Sequence, residues 1–224
     1  MIIYYYVNQL NLTCIINTPL YSFFTFWKLF DIIVIAKGAK YMEIPKIVIL
    51  DEKDPRLHQV SEEVTFPLDN DTKKLIEDVL VYLELSQDEE ISEKYNLRPG
   101  MGLSFCQMGI MKRIFVVSED NGDGTFDRHV VINPKLVSHS EELIYVGEGE
   151  GCLSINRPTE GIVPRYARCT FQAFDEEGKE YQIRVREDIS IAYQHELDHL
   201  NGILFVDKID PKNPYKNKDR MREI

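Results

Sequence analysis

The sequence predicts an α+β fold: antiparallel strands packed around a late helix bearing two histidines, with one further long helix before it. Three observations carry this. β-Branched runs flank turn tetrads rich in Asn, Asp and Gly, which is the mark of hairpins. One long segment repeats its apolar residues with a helical period. Strand-like segments come first and the histidine-bearing helix comes last, instead of alternating as parallel units would.

In chain order, residues 47–50 (Ile-Val-Ile-Leu) predict a short strand ended by Asp54-Pro55. Between residues 69 and 86, Leu75, Ile76, Val79, Leu80 and Leu83 line one face of a helix opening at Asp71 or Thr72. Residues 86–96 are polar and predict a loop or a frayed helical end. Residues 114–117 and 129–132 form a hairpin through Asn121-Gly122-Asp123-Gly124. That turn only superficially resembles a calcium loop, since it lacks the ligand ladder and the closing glutamate. A second hairpin joins residues 169–174 to 181–185 through the turn 175–178. The last helix has Ile189, Ile191, Ala192, Leu197 and Leu200 on its apolar side, Asp188 or Ser190 as cap, and Asn201-Gly202 as stop.

At 224 residues the chain is long enough for one well-filled core. Its net charge of −11 argues against specific nucleic-acid binding, because phosphate contacts need an excess of Lys and Arg. Cys14, Cys106, Cys152 and Cys169 show no close-set disulfide spacing, and no secretory leader is recognisable, so a reducing cytoplasmic setting is expected. Residues 1–41 form an atypical apolar extension whose charged residues are Lys28, Asp31, Lys37 and Lys40. Lys28 and Asp31 interrupt its most apolar run, and each costs about 3 kcal/mol near a bilayer centre, so a membrane span is disfavoured. A membrane anchor, an extra packed segment, and translated upstream sequence with the domain beginning at Met42 are the three readings. The last is favoured because globular patterning begins abruptly there, giving domains 1–41 and 42–224.

The chemistry centres on Gln194-His195-Glu196-Leu197-Asp198-His199. Histidines four apart lie one helical turn apart, so both imidazoles face one way and can grip a divalent metal. Glu196, next to the first histidine, can then handle the proton of a metal-bound water without ligating. An ordinary amphipathic helix with two surface histidines is the bland alternative. A tetrahedral site needs a third ligand. The long protease pattern would put it at Phe205, which cannot ligate, and Glu223 is the only glutamate left downstream. Asp207 and Asp210 remain as oxygen ligands. Two glycine-rich stretches also look unlike scaffold: 100–107, ending in Gln107, and 147–154, whose glycines bracket Cys152. A plain turn and a buried small hydrophobe are the ordinary readings of the two. A Cys152 thiolate facing two histidines would complete a site with a fourth position open to water.

Together the three stretches resemble the peptide deformylase family, whose signatures are G-x-G-L-A-A-x-Q, E-G-C-L-S and H-E-x-D-H. Glu150-Gly151-Cys152-Leu153-Ser154 and His195-Glu196-Leu197-Asp198-His199 match the second and third in full. The first keeps Gly100, Gly102, Leu103 and Gln107, with Ser104 and Phe105 in place of two alanines. The resemblance runs from about Met42 to the end, closest to the branch with an insertion before the glycine loop, and leaves residues 1–41 outside.

The resemblance implies an enzyme that removes the formyl group from N-terminal formyl-methionine of newly made proteins. It implies Cys152, His195 and His199 as ligands of Fe²⁺, which Ni²⁺, Co²⁺ or Zn²⁺ can replace. It implies Glu196 as general base and acid, with the Gln107 amide and the Leu153 backbone N–H stabilising the oxyanion. Met101, Ile191 and Ala192 are candidates for the methionine pocket, although core packing explains them equally well, and Gly102 for backbone contact with the peptide. The Ser104-Phe105 departure is expected to touch packing and pocket shape, not chemistry, and Asp198 either orients a neighbour or is plain surface. Two alternatives stand beside this reading: a metallopeptidase using Asp207 or Asp210, and an inactive formyl-peptide-binding homologue. The basic tail (Lys212, Lys216, Lys218, Arg220, Arg222) is expected to be a solvated end, with ribosome contact near the nascent-chain exit as a further hypothesis.

Overall fold

The computed structural model describes residues 44–224, so the readings of residues 1–41 and of the boundary at Met42 lie outside the described residues. Its elements run α1 (Asn70–Gln87), α2 (Glu89–Tyr95), β1 (Gly102–Ser104), β2 (Ile114–Asp120), β3 (Phe126–His139), β4 (Leu143–Tyr145), β5 (Arg165–Tyr166), β6 (Arg168–Phe174), β7 (Glu180–Arg186), α3 (Glu187–Leu200) and β8 (Arg222–Glu223). Both predicted hairpins form, β2–β3 and β6–β7, and each is longer than its apolar run. They join β1 in a five-stranded antiparallel sheet ordered β1-β2-β3-β6-β7.

Side-chain alternation decides what lies on each face of this sheet. Ile114 and Val116 of β2, with Leu103 and Ile132, pack against Ile76, Val79, Leu80 and Leu83 of α1. Phe115 and Val117, with Val131, Phe171 and Val185, pack against Ile189, Tyr193 and Leu200 of α3. β2 is therefore buried on both sides, which explains its continuous apolar run. The same alternation turns Leu103 of β1 toward α1 and its neighbours Gly102 and Ser104 toward α3.

Three local expectations need correction. Residues 47–50 form no strand; Ile47 and Ile49 pack on the α1 cluster and Val48 points out, but no partner strand lies alongside among the described residues. Residues 86–96 are not a loop. Asp88 caps α2 by accepting from the Ile91 N–H at 2.9 Å, and Asn96 closes it in the left-handed conformation, so paired caps supply what the polar sequence lacks in apolar periodicity. α3 starts at Glu187, before both predicted caps, and Ser190 instead donates to the Tyr166 carbonyl at 2.8 Å. Its predicted stop holds: Asn201 is the C-cap, and Gly202 takes a positive φ of 74° against the His58 carbonyl. The basic residues of the tail are solvent-exposed, as expected, but its end also joins a sheet. β8 pairs parallel with β4 in a three-stranded sheet ordered β5-β4-β8, and Arg222 bridges Glu142 and Glu187. α1 is the further long helix, capped at Asp69, slightly upstream of the predicted start.

Candidate active site

α3 carries His195, Glu196 and His199, and its place across the sheet buries all three. The loop between β4 and β5 brings up Cys152, so that ligand atoms of Cys152, His195 and His199 all lie within 4.8 Å of one another. Cys152 Sγ is 3.2 Å from His199 Nε2. Asp207 and Asp210 lie outside this group: Asp207 accepts from the Leu204 N–H at 2.8 Å, and Asp210 binds Lys216 at 2.8 Å. The third-ligand alternative thus loses its residues, because both carboxylates are occupied in local turns.

The surroundings suit a cation. His195 Nδ1 is 2.8 Å from Glu150 Oε2, which leaves the other ring nitrogen free for a ligand. Burial opposes a charged His195, but hydrogen bonding to Cys152 and Glu150 outweighs it and raises its pKa to about 10. Of these two, Cys152 lies with the histidines where a metal ion would sit, while Glu150 holds the far nitrogen of the ring. For His199, burial, then the charge of His195 and of Arg165, push the pKa well below the usual value, so it stands neutral and ready to ligate. Two imidazoles and a thiolate form a donor set that fits Fe²⁺, Co²⁺, Ni²⁺ or Zn²⁺ and disfavours Mg²⁺ or Ca²⁺.

Glu150 is held in turn by Arg165, whose Nε and Nη2 reach its two oxygens at 2.7 and 2.9 Å. The Arg165 side chain is 0% exposed and its Nη1 also binds Asp198, which Lys208 reaches from outside at 2.7 Å. Asp198 is therefore neither plain surface nor a ligand; it is the outer end of a charged chain that runs through Arg165 and Glu150 to His195. Burial works against an ionised Glu150, yet Arg165 and then His195 pull its pKa down to about 2.

A cavity of about 380 Å³ opens over this centre. Met101, Gly102, Gln107, Cys152, Leu153, Ile191, Ala192, His195 and Glu196 line it, so every predicted site residue except the deeper His199 faces one space. Gln107 is oriented by the Ser104 N–H, which donates to its Oε1 at 2.9 Å, while its Nε2 reaches Ser154 Oγ at 3.1 Å and Cys152 Sγ at 3.5 Å. The Leu153 N–H makes no hydrogen bond among the described residues. Glu196 is buried, which raises its pKa above the usual carboxylate range, against the opposing charge of His195 and a hydrogen bond from Ser104.

Three participants escape a reading of the sequence alone. Arg165 carries no motif, and its partners meet only in the fold. Arg98 donates to the carbonyls of Leu153, Cys152 and Ile155 at 2.7, 2.9 and 3.0 Å, clamping the cysteine loop to the glycine loop. Ser104, expected to affect packing and pocket shape but not chemistry, touches Glu196 directly: its Oγ lies 2.7 Å from Oε2.

Residues 46–215 match the family model for polypeptide deformylase. The chain is 45% identical over 169 residues to a peptide deformylase of Shouchella clausii, spanning 75% of this chain and 92% of that protein. Over 176 residues it is 42% identical to peptide deformylase 2 of Bacillus cereus, covering 79% and 96% respectively. Among solved structures, the peptide deformylase of Thermotoga maritima superposes with a TM-score of 0.58 at 30% identity, over 74% of this chain and 98% of that one.

Proposed function

The chain belongs to the polypeptide deformylase family, and on that premise we propose how its residues divide the work of removing the formyl group. It is a metal-dependent hydrolase that acts on the N-terminal formyl group of newly made peptides. The observation that carries the division of roles is the meeting of Cys152, His195 and His199 within 4.8 Å, with Glu196 on the wall of the same cavity.

Cys152, His195 and His199 would hold the metal, with Glu150 fixing the His195 ring. When bound there, the metal would supply Lewis-acid chemistry toward water and the formyl oxygen. Glu196 takes the proton of the attacking water and passes it to the leaving amine; its raised pKa suits a group that both accepts and returns a proton. The Gln107 amide and the Leu153 N–H donate to the developing oxyanion, each such donor being worth about 3 kcal/mol. β1 is the sheet's edge strand, so its free side can receive the peptide as an added strand at Gly102. Met101, Ile191 and Ala192 form the apolar wall for the methionine side chain.

We assign Fe²⁺ as the native metal on the family resemblance, since the donor set itself accepts Fe²⁺, Co²⁺, Ni²⁺ or Zn²⁺, and an Fe²⁺–thiolate centre is the oxidation-sensitive one of these. Activity is then lost in air faster with Fe²⁺ than with Ni²⁺, and equal lifetimes would count against iron. The setting is cytoplasmic, and residues 42–224 are the catalytic domain. No helix among the described residues is long and apolar enough to cross a membrane. Contact with the ribosome through the tail has less charge to draw on than the sequence suggests, since Lys216, Lys218 and Arg222 are engaged in ion pairs.

The deciding experiment is formate release from a formyl-methionyl tripeptide by protein purified without oxygen, beside Glu196→Ala and Cys152→Ala. Release by the parent, none by Glu196→Ala with metal still bound, and loss of metal from Cys152→Ala is the expected pattern. Stoichiometric metal in Cys152→Ala would overturn the ligand set.

A further inference from the structure

Ser104 and Gly102 leave β1 on the same side, toward α3, and the Glu196 carboxylate lies between them. Ser104 is fully buried, with Oγ 2.7 Å from Glu196 Oε2 and 3.0 Å from the Glu196 carbonyl oxygen. Gly102 leaves room for the other carboxylate oxygen, because a Cβ there would come within 2.8 Å of Oε1. One oxygen rests over a missing side chain and the other on a hydroxyl.

We propose that Ser104 is a positioning residue for deformylation, its hydroxyl holding the Glu196 carboxylate in its working orientation. The proposal rests on the assignment of Glu196 as general base. A hydroxyl has one proton to give and two acceptors within reach here. Both lie on Glu196, its Oε2 and its carbonyl oxygen, so the hydroxyl ties that residue to β1, and an alanine, as in the resembled signature, would offer neither bond.

The side chain is separable from the backbone at this position. The Ser104 N–H orients Gln107 and survives any substitution of the side chain except proline. The hydroxyl can therefore be removed without disturbing the oxyanion donor.

The test compares Ser104→Ala, Ser104→Thr and Ser104→Val with the parent, all loaded with Ni²⁺, on a formyl-methionyl tripeptide. Thr and Val have nearly the same shape and differ in the hydroxyl, so the pair separates hydrogen bonding from packing. Ser104→Ala and Ser104→Val should lose about tenfold in kcat, the size expected for a hydrogen bond to a charged group, with KM and bound metal unchanged. Ser104→Thr should recover most of that rate. In crystals of metal-free Ser104→Ala protein, the Glu196 carboxylate should occupy more than one orientation. Parental kcat in Ser104→Ala, or equal impairment of Thr and Val, would overturn the proposal. Should the two β-branched variants fail to fold, Ser104→Ala decides alone: a lower kcat at unchanged KM supports the role, and parental kcat refutes it. Glu196→Ala, run alongside, keeps the assignments apart, because parental activity in that variant would defeat the base assignment itself.

Discussion

Gly102→Ala tests the seat of Glu196 from its other side. Gly102 does not lie in the left-handed region, so alanine meets no backbone strain there, and the whole effect comes from one methyl group. That methyl would stand 2.8 Å from Glu196 Oε1, 3.1 Å from Cγ and 3.2 Å from Cδ. Ordinary contact begins near 3.4 Å, so the carboxylate must withdraw by about 0.6 Å, the difference between 3.4 and 2.8 Å. It cannot withdraw freely, because Oε2 is bonded to Ser104 and the residue is only 4% exposed. A displacement of about 1 Å in a reacting group can cost about 100-fold, so roughly half of it should cost about tenfold in kcat, or ~1.4 kcal/mol of barrier. Steady-state formate release by the Ni²⁺-loaded variant measures this, with metal content and thermal unfolding recorded in parallel. Overpacking should cost about 1–3 kcal/mol of stability without releasing the metal, since the three atoms nearest the methyl all belong to Glu196. A parental kcat would refute the reasoning. So would a loss confined to KM, which would mean that the methyl obstructs the peptide and leaves the carboxylate in place.

Two further predictions concern the charged chain behind His195. Arg165→Ala strands Glu150 and Asp198 without their buried partner and should cost about 3–5 kcal/mol in urea unfolding of the metal-free protein, against which a loss below 1 kcal/mol would count. Arg165→Lys should recover little of it, because one ammonium cannot reproduce the two-pronged grip on Glu150. Glu150 has a folded pKa of about 2 against an ordinary 4.5, so its stabilisation is complete above pH 4.5 and is lost as pH falls toward 2. Unfolding free energy of the metal-free parent should therefore drop more steeply across that interval than that of Glu150→Gln, and parallel slopes would remove Glu150 from the account.

Much of the molecule was legible in residue order, where the signal is local. The two hairpins follow from β-branched runs and Asn-Gly or Gly-containing turns, and α1 follows from its apolar period, because these elements satisfy their own backbone hydrogen bonds nearby. The candidate metal group was legible for a similar reason: His195 and His199 share a helix face, and Cys152 stands in a short segment that matches a family signature. Pairing partners were not legible. Residues 47–50 have strand composition and no strand beside them, while the polar residues 86–96 are helical through caps whose worth depends on geometry. The tail is exposed as expected, but nothing local marks Arg222 and Glu223 as the partner of β4.

The site divides along the same line. The sequence by itself determined which residues can bind metal and move a proton, since ligation and acid–base chemistry belong to side-chain type and close spacing. Only the tertiary structure decided what sets them to work. Burial of Arg165 makes Glu150 a lasting carboxylate, and Glu150 then fixes His195. β1, lying across α3, puts Gly102 and Ser104 on either side of Glu196. Desolvation and hydrogen-bond direction depend on what the fold brings within about 3 Å, and no spacing along the chain records that.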